Sequence, residues 1–151
     1  MSLERYHLIV GDLRIARDFA DYILTRRLHE KSGDTTKLIH RAFNLSMIIS
    51  YCRPFTRNIE GNELIDSPSY RLAKRVLDTD QFDLHRKIIR QRNNVYAHSP
   101  AGKRFPFQLK PGRIVIEADV FSPLNLKETQ MLRSIIKTWR DYLERHKSEF
   151  S

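Results

Sequence analysis

Cysteine is nearly absent. The single thiol, Cys52, excludes an internal disulfide framework and any cysteine-based zinc site, and it fits a reducing compartment. No run reaches the eighteen or so apolar residues that a membrane-spanning helix needs. The opening MSLERYHLIVGDLR has no basic start followed by an apolar core and a small-residue cleavage site. A signal peptide is therefore not expected, and the protein is read as cytoplasmic. A P-loop, GxGxxG, HExxH and GxSxG are all missing. So are internal repeats, low-complexity tracts and an interdomain linker, and the 151 residues read as one domain, 1–151. Hydrophobic residues make up a lean 40%, but a domain of this length buries about 70% of its unfolded surface. That excludes a disulfide-dependent miniprotein and argues against a disordered chain.

What the chain has in excess is positive charge. Lysine and arginine number 27 against 18 acidic residues, a formal net charge of +9, and arginine outnumbers lysine 18 to 9. Guanidinium grips phosphate through two donors at once, so this balance leans toward a phosphate-bearing partner such as RNA. The basic residues are scattered along the chain, which ordinary solubilising charge also explains.

Helical periodicity covers most of the length. Ile9, Leu13, Ala16, Ala20 and Ile23 follow four-then-three spacing within a helix expected over Glu4–Leu28, with Phe19, Tyr22 and Leu24 widening the stripe. Gly33-Asp34 reads as helix exit followed by N-cap. A second helix, Thr35 to about Arg53, repeats the spacing through Leu38, Ala42, Leu45, Ile49 and Cys52 until Pro54 stops it. Pro54–Ser67 shows no period and reads as a long loop. Ser67-Pro68 opens a short helix through Leu72, Val76 and Leu77. Asp78-Thr79-Asp80 caps another helix, Gln81 to Ala97, which Ser99-Pro100 closes.

The period then changes. Phe105, Phe107 and Leu109, then Lys110-Pro111-Gly112-Arg113, then Ile114, Val115 and Ile116 read as a β-hairpin over about Phe105–Asp119. Ser122-Pro123 begins a last helix with Leu132, Ile136, Trp139 and Leu143 inward and Met131, Ile135 and Tyr142 alongside. The expected fold is mainly α: an antiparallel four-helix bundle with a short extra helix, a long loop and one β-hairpin before the last helix.

Arg92 stands out. On the wheel of Gln81–His98, Phe82, Ile88, Ile89, Val95 and Tyr96 share one arc, while Asp83, Arg86, Lys87, Arg90 and Asn94 share the opposite one. Arg92 falls in the middle of the apolar arc, where a guanidinium needs a carboxylate, a ligand or a second subunit. His98 lies six residues on, about 9 Å and 120° away along an ideal helix. A break before Pro100 could swing it toward Arg92, or a two-fold axis could bring two Arg/His pairs into one cleft. The six histidines, His7, His29, His40, His85, His98 and His146, have no metal-site spacing, and each reads as a surface or packing residue. No metal and no cofactor is expected. Cys52 continues the stripe of its helix and reads as a core thiol.

The segment Arg90-Gln-Arg-Asn-Asn-Val-Tyr-Ala-His-Ser99 resembles the signature of HEPN domains (higher eukaryote and prokaryote nucleotide-binding). That signature is an arginine, a polar residue after it, and a histidine four to six intervening residues on. Here Arg92, Asn93 and His98 fill those places, in a helical chain of the right size, and the form resembles the toxin and abortive-infection branch. The resemblance implies a metal-independent endoribonuclease that acts as a homodimer, with Arg92 and His98 as catalytic residues at the subunit interface. In it, imidazole moves the proton of the 2′-hydroxyl or of the leaving 5′-oxygen, and guanidinium stabilises phosphate charge. Asn93 orients the histidine or holds a phosphate oxygen; Tyr96 stacks on a base or packs. RNA and an antitoxin protein are the implied partners. Some family toxins carry a tyrosine two residues after the histidine that a partner nucleotidyltransferase modifies, and here that position is Pro100.

Three readings follow: a toxin-like or phage-defence ribonuclease, a non-catalytic dimeric module that binds nucleotide, RNA or a partner protein, and an unrelated helical bundle. The last requires a carboxylate against Arg92 in an internal ion pair.

Overall fold

The computed structural model describes residues 2–56, 59–60, 63–64, 68, 70–93, 109–110, 113–114 and 122–149. They are mainly helical. Helix α1 is Leu3–Thr25, α2 Asp34–Cys52, α3 Tyr70–Val76, α4 Thr79–Gln91 and α5 Leu126–Arg145. None of these helices is long and apolar enough to cross a membrane.

Helix α1 buries the stripe its sequence announces, Ile9, Leu13, Ala16, Ala20 and Ile23. It ends earlier than Leu28. The Arg27 N–H bonds the Leu24 carbonyl and the Leu28 N–H bonds the Ile23 carbonyl, both at 3.1 Å, with Arg27 at φ 51°. This is a Schellman close, sealed by buried Leu28 against buried Ile23. An arginine occupies the left-handed position where glycine is usual, so no residue type marks the stop. Gly33 is not the exit of α1. It is the N-cap of α2 at φ 113°, a conformation that favours glycine, and Asp34 becomes the first helical residue. An acidic side chain there suits the positive end of the helix dipole.

Helix α2 departs from expectation by a rotation. Asn44, Met47, Ile48, Tyr51 and Cys52 are buried, whereas Leu38 is 66% exposed and Ala42 is exposed. The wheel of α2 carries two apolar arcs. The buried one is interrupted by Asn44, which makes it look less core-like, yet the Asn44 Oδ1 accepts the Leu124 N–H at 3.0 Å and so fits the interior. After Cys52 the chain tightens into one 3₁₀ turn, Arg53–Phe55, with Pro54 inside it. The loop that follows is not free of pairing. Strand β1, Ile59–Glu60, pairs antiparallel with β2, Glu63–Leu64. The sequence between them, Gly61-Asn62, is a turn-forming dipeptide, a signal that hydrophobic period alone does not catch.

Both later long helices start with capping boxes. The Asp78 carboxylate accepts the Gln81 N–H at 2.9 Å, and the Gln81 side chain returns to the Asp78 N–H. Asn125 and Glu128 do the same for α5. The start of α5 is therefore Asn125-Leu126 and not Ser122-Pro123, because an Asn-x-x-Glu box satisfies two orphan N–H groups that proline cannot. Leu132, Ile135, Ile136, Trp139 and Leu143 are buried along α5. Strand β3, Leu109–Lys110, pairs antiparallel with β4, Arg113–Ile114. That pairing is two residues long and falls short of the hairpin expected over Phe105–Asp119, whose other residues lie outside the described ones.

Cross-contacts fix the directions of packing. α1 runs antiparallel to α2, with Phe43 against Phe19 and Tyr22 near one end and Arg53 on Asp12 toward the other. It also runs antiparallel to α5, through Tyr6–Glu144 and Asp21–Arg133. α4 lies antiparallel to α5, through Gln81 on Ser134 and Lys87 on Glu128. One core of buried side chains joins all five helices. It brings the end of α4 beside the end of α2.

Candidate functional site

The apolar face of α4 is Phe82, His85 and Ile88, buried at three-residue steps, with Ile89 partly buried. One turn past Ile88 on that face comes Arg92. Its N–H bonds both the Ile88 and Ile89 carbonyls, and Arg92 and Asn93 form a wider, π-type turn at the helix end. Arg92 is half-buried and Asn93 exposed. The guanidinium Nη1 donates to Asn93 Oδ1 at 3.1 Å. No carboxylate among the described residues forms an ion pair with Arg92, so the buried ion pair required by an unrelated bundle is not found there. A cation at a helix C-terminus also meets the negative end of its dipole.

Beneath Arg92 is the end of α2. The Cys52 Sγ reaches the Ile88 carbonyl at 3.9 Å. Burial pushes this thiol up to about 12, with the Arg92 charge pulling the other way. It is an inert core thiol at neutral pH. One turn below, the Tyr51 hydroxyl lies 2.7 Å from His85 Nδ1. Burial lowers His85 to about 4 and raises Tyr51 well above the usual phenol value. The imidazole is thus neutral and the phenol protonated, and one hydrogen bond joins the two. Phe55 lies edge-on to His85 and tilted against Trp139, completing the wall. Metal-site spacing alone leaves His85 an ordinary packing residue. Its place three residues after Phe82 and three before Ile88 is the signal for a buried, hydrogen-bonded one.

The side chain of Gln91 donates to the Ser122 carbonyl at 3.2 Å. The chain therefore returns, after residues 94–121, to the place where α4 ends. Tyr96 and His98 belong to those residues and lie outside the described ones, so the structure brings together Arg92 and Asn93 of the four site residues. The solvent side of α4 carries Arg86, Lys87 and Arg90, and Arg53 follows α2; Arg86 pairs with Asp83, Lys87 with Glu128 and Arg53 with Asp12. Among the described residues no three His, Cys, Asp or Glu side chains are placed to hold a metal ion. What the site offers is a guanidinium bonded to a neighbouring amide and without a carboxylate partner among the described residues, an arrangement suited to a phosphate. No family model, no curated protein and no solved structure matches the chain.

Proposed function

We propose that this chain is a metal-independent endoribonuclease of the HEPN toxin or phage-defence type. In this reading it is an antiparallel four-helix bundle with a β-hairpin at about 105–119. It works in the cytoplasm as a homodimer, with Arg92 and His98 of both protomers lining a cleft at the interface. The observation that carries the reading is the state of Arg92. It is half-buried, bonded to Asn93 and without a carboxylate partner among the described residues. A guanidinium placed so is held ready for an anion, and a break before Pro100, or the two-fold axis of a dimer, would bring His98 to the same anion.

The chemistry follows from two groups. His98 takes the proton of the 2′-hydroxyl, or gives one to the departing 5′-oxygen. The 2′-oxygen attacks its own phosphorus, the bond to the 5′-oxygen breaks, and Arg92 neutralises the charge that gathers on the phosphate between these events. The products are a 2′,3′-cyclic phosphate and a 5′-hydroxyl. Asn93 holds Arg92 in place, and Tyr96 packs or stacks on a base. An antitoxin protein would act by covering this cleft.

The test is incubation of the purified protein with single-stranded RNA and with DNA of the same sequence, with product ends identified, alongside sedimentation at micromolar concentration. The reading requires a dimer, cut RNA with cyclic-phosphate ends, and intact DNA. Binding of RNA without cleavage would instead assign the non-catalytic module. Neither binding nor cleavage would remove RNA from the account.

A further inference from the structure

The connection between α1 and α2 holds a second constellation. His29 and His40 meet edge to face, with ring centroids 4.6 Å apart and planes at 74°. His29 Nε2 faces the Leu124 carbonyl at 3.1 Å and Thr129 Oγ1 at 3.2 Å. A carbonyl only accepts, and the Thr129 hydroxyl already donates to the Asn125 carbonyl at 2.9 Å. His29 Nε2 therefore carries the hydrogen and donates to both, and in the neutral ring Nδ1 is a bare lone pair. That Nδ1 is buried without a hydrogen-bond partner, and so is Nε2 of His40. Leu124 itself is 1% exposed. Its N–H goes to Asn44 Oδ1 at 3.0 Å, so side chains hold both of its backbone polar groups. It stands one residue ahead of the Asn125 cap of α5, where the chain rejoins the core after residues 94–121.

We propose that His29 and His40 form an acid-released latch on Leu124. The latch holds the start of α5 against the α1–α2 connection while His40 is neutral, and opens when His40 takes a proton.

A proton on His40 Nε2 would place a cation against the His29 edge, at a buried nitrogen that makes no hydrogen bond. Burial first, and His29 second, already push His40 below the usual imidazole value. The charged groups around the pair offer no relief. Arg27 and Glu30 of the connection are paired with each other at 3.4 Å, and Arg133 of α5 is paired with Asp21 at 2.6 Å. Glu128 of α5 is engaged by Lys87 and by the Asn125 N–H. Lys37 and Arg41 flank His40 along α2 and are cationic themselves. Among the described residues no carboxylate pairs with either ring.

The direction of the effect is fixed by the lowered value. The open form, with His40 in water, binds the proton first, at about the ordinary 6.5. The latch is at full strength above that pH and weakens below it. The opening constant grows by up to about tenfold per pH unit until the closed form also takes the proton.

Amide exchange at Leu124 tests this from pH 7.5 to 5.0, with each rate corrected for intrinsic exchange, in wild type, His40→Phe and His29→Gln. The expected result is an opening constant that rises below pH 6.5 more steeply in wild type than global unfolding measured alongside it, only follows global unfolding in His40→Phe, and is raised at every pH in His29→Gln. A rise beyond global unfolding that persists in His40→Phe belongs to another group and overturns the latch. A level wild-type profile overturns it too. Should His40→Phe fail to fold, the NMR titration of His40 in wild type decides. A Leu124 amide shift that follows the His40 curve supports the latch, and one indifferent to it refutes it.

Discussion

The hydroxyl of Tyr51 lies 2.7 Å from Nδ1 of His85 inside the core, where α2 meets α4. His85 is 5% exposed, and its value is lowered from 6.5 to about 4 by burial. The unfolded chain therefore takes up a proton below pH 6.5 that the folded chain refuses. Stability should be full above pH 6.5, decline as pH falls toward 4, and level off below that. The loss should come to roughly 3 kcal/mol from this group, at about 1.4 kcal/mol per unit. Urea unfolding at pH 7.5, 5.5 and 4.5 checks it, and a profile in which His85→Phe declines as steeply as wild type would remove His85 as the cause.

Tyr51→Phe isolates the hydrogen bond. It leaves the buried His85 Nδ1 without its partner and should cost about 1–3 kcal/mol at pH 7.5. Since Tyr51 and Cys52 sit beneath Arg92, the same change should loosen the end of α4, seen as faster amide exchange at Ile89 and Arg92. Unchanged exchange there would mean that the pair stabilises the core without positioning Arg92.

The two ends of the α1–α2 connection respond oppositely to glycine chemistry. Arg27, at φ 51°, sits where an L side chain is strained. Arg27→Gly should stabilise by about 0.5–1 kcal/mol, the exposed pair with Glu30 contributing little. Gly33, at φ 113°, has open space where a methyl group would go but a backbone that disfavours one. Gly33→Ala should destabilise by about 1 kcal/mol or more. Thermal melts of the two variants should move in opposite directions.

Much of this architecture is legible because burial follows period. Ile9, Leu13, Ala16, Ala20 and Ile23 in α1, and Leu132, Ile136, Trp139 and Leu143 in α5, sit in the core as their spacing predicts. What escapes has a polar residue in an apolar place or a special conformation filled by an unusual residue type. Asn44 lies in the core because a single backbone N–H, that of Leu124, makes its burial tolerable. No sequence pattern reveals a partner eighty residues away. Arg27 closes α1 where glycine would be expected, held by the backbone bonds of Arg27 to Leu24 and of Leu28 to Ile23. At the candidate site, Arg92 is legible as an arginine on an apolar arc. Its bond to Asn93 is not, since helical spacing marks side-chain pairs three and four residues apart and says nothing of a bond between neighbours.

Asn44 gives a further check on that lesson. Asn44→Leu matches the surrounding core in polarity yet strips the Leu124 N–H of its acceptor. It should destabilise by about 1–3 kcal/mol, against the intuition that a leucine in a core helps. A stabilised variant would show that the Leu124 N–H finds water or another acceptor.

The most direct test of the ribonuclease reading is single-turnover cleavage of RNA in EDTA by wild type, His98→Ala and Arg92→Lys. Wild type should cut, because the proton transfer and charge stabilisation come from side chains alone. His98→Ala should lose about a hundred- to ten-thousandfold in rate with its fold intact, as expected for a missing general acid or base. Arg92→Lys should lose most activity, since an ammonium cannot reproduce the two-donor grip on phosphate. Cleavage abolished by EDTA and restored by Mg²⁺, or cleavage unchanged in His98→Ala, would contradict the account.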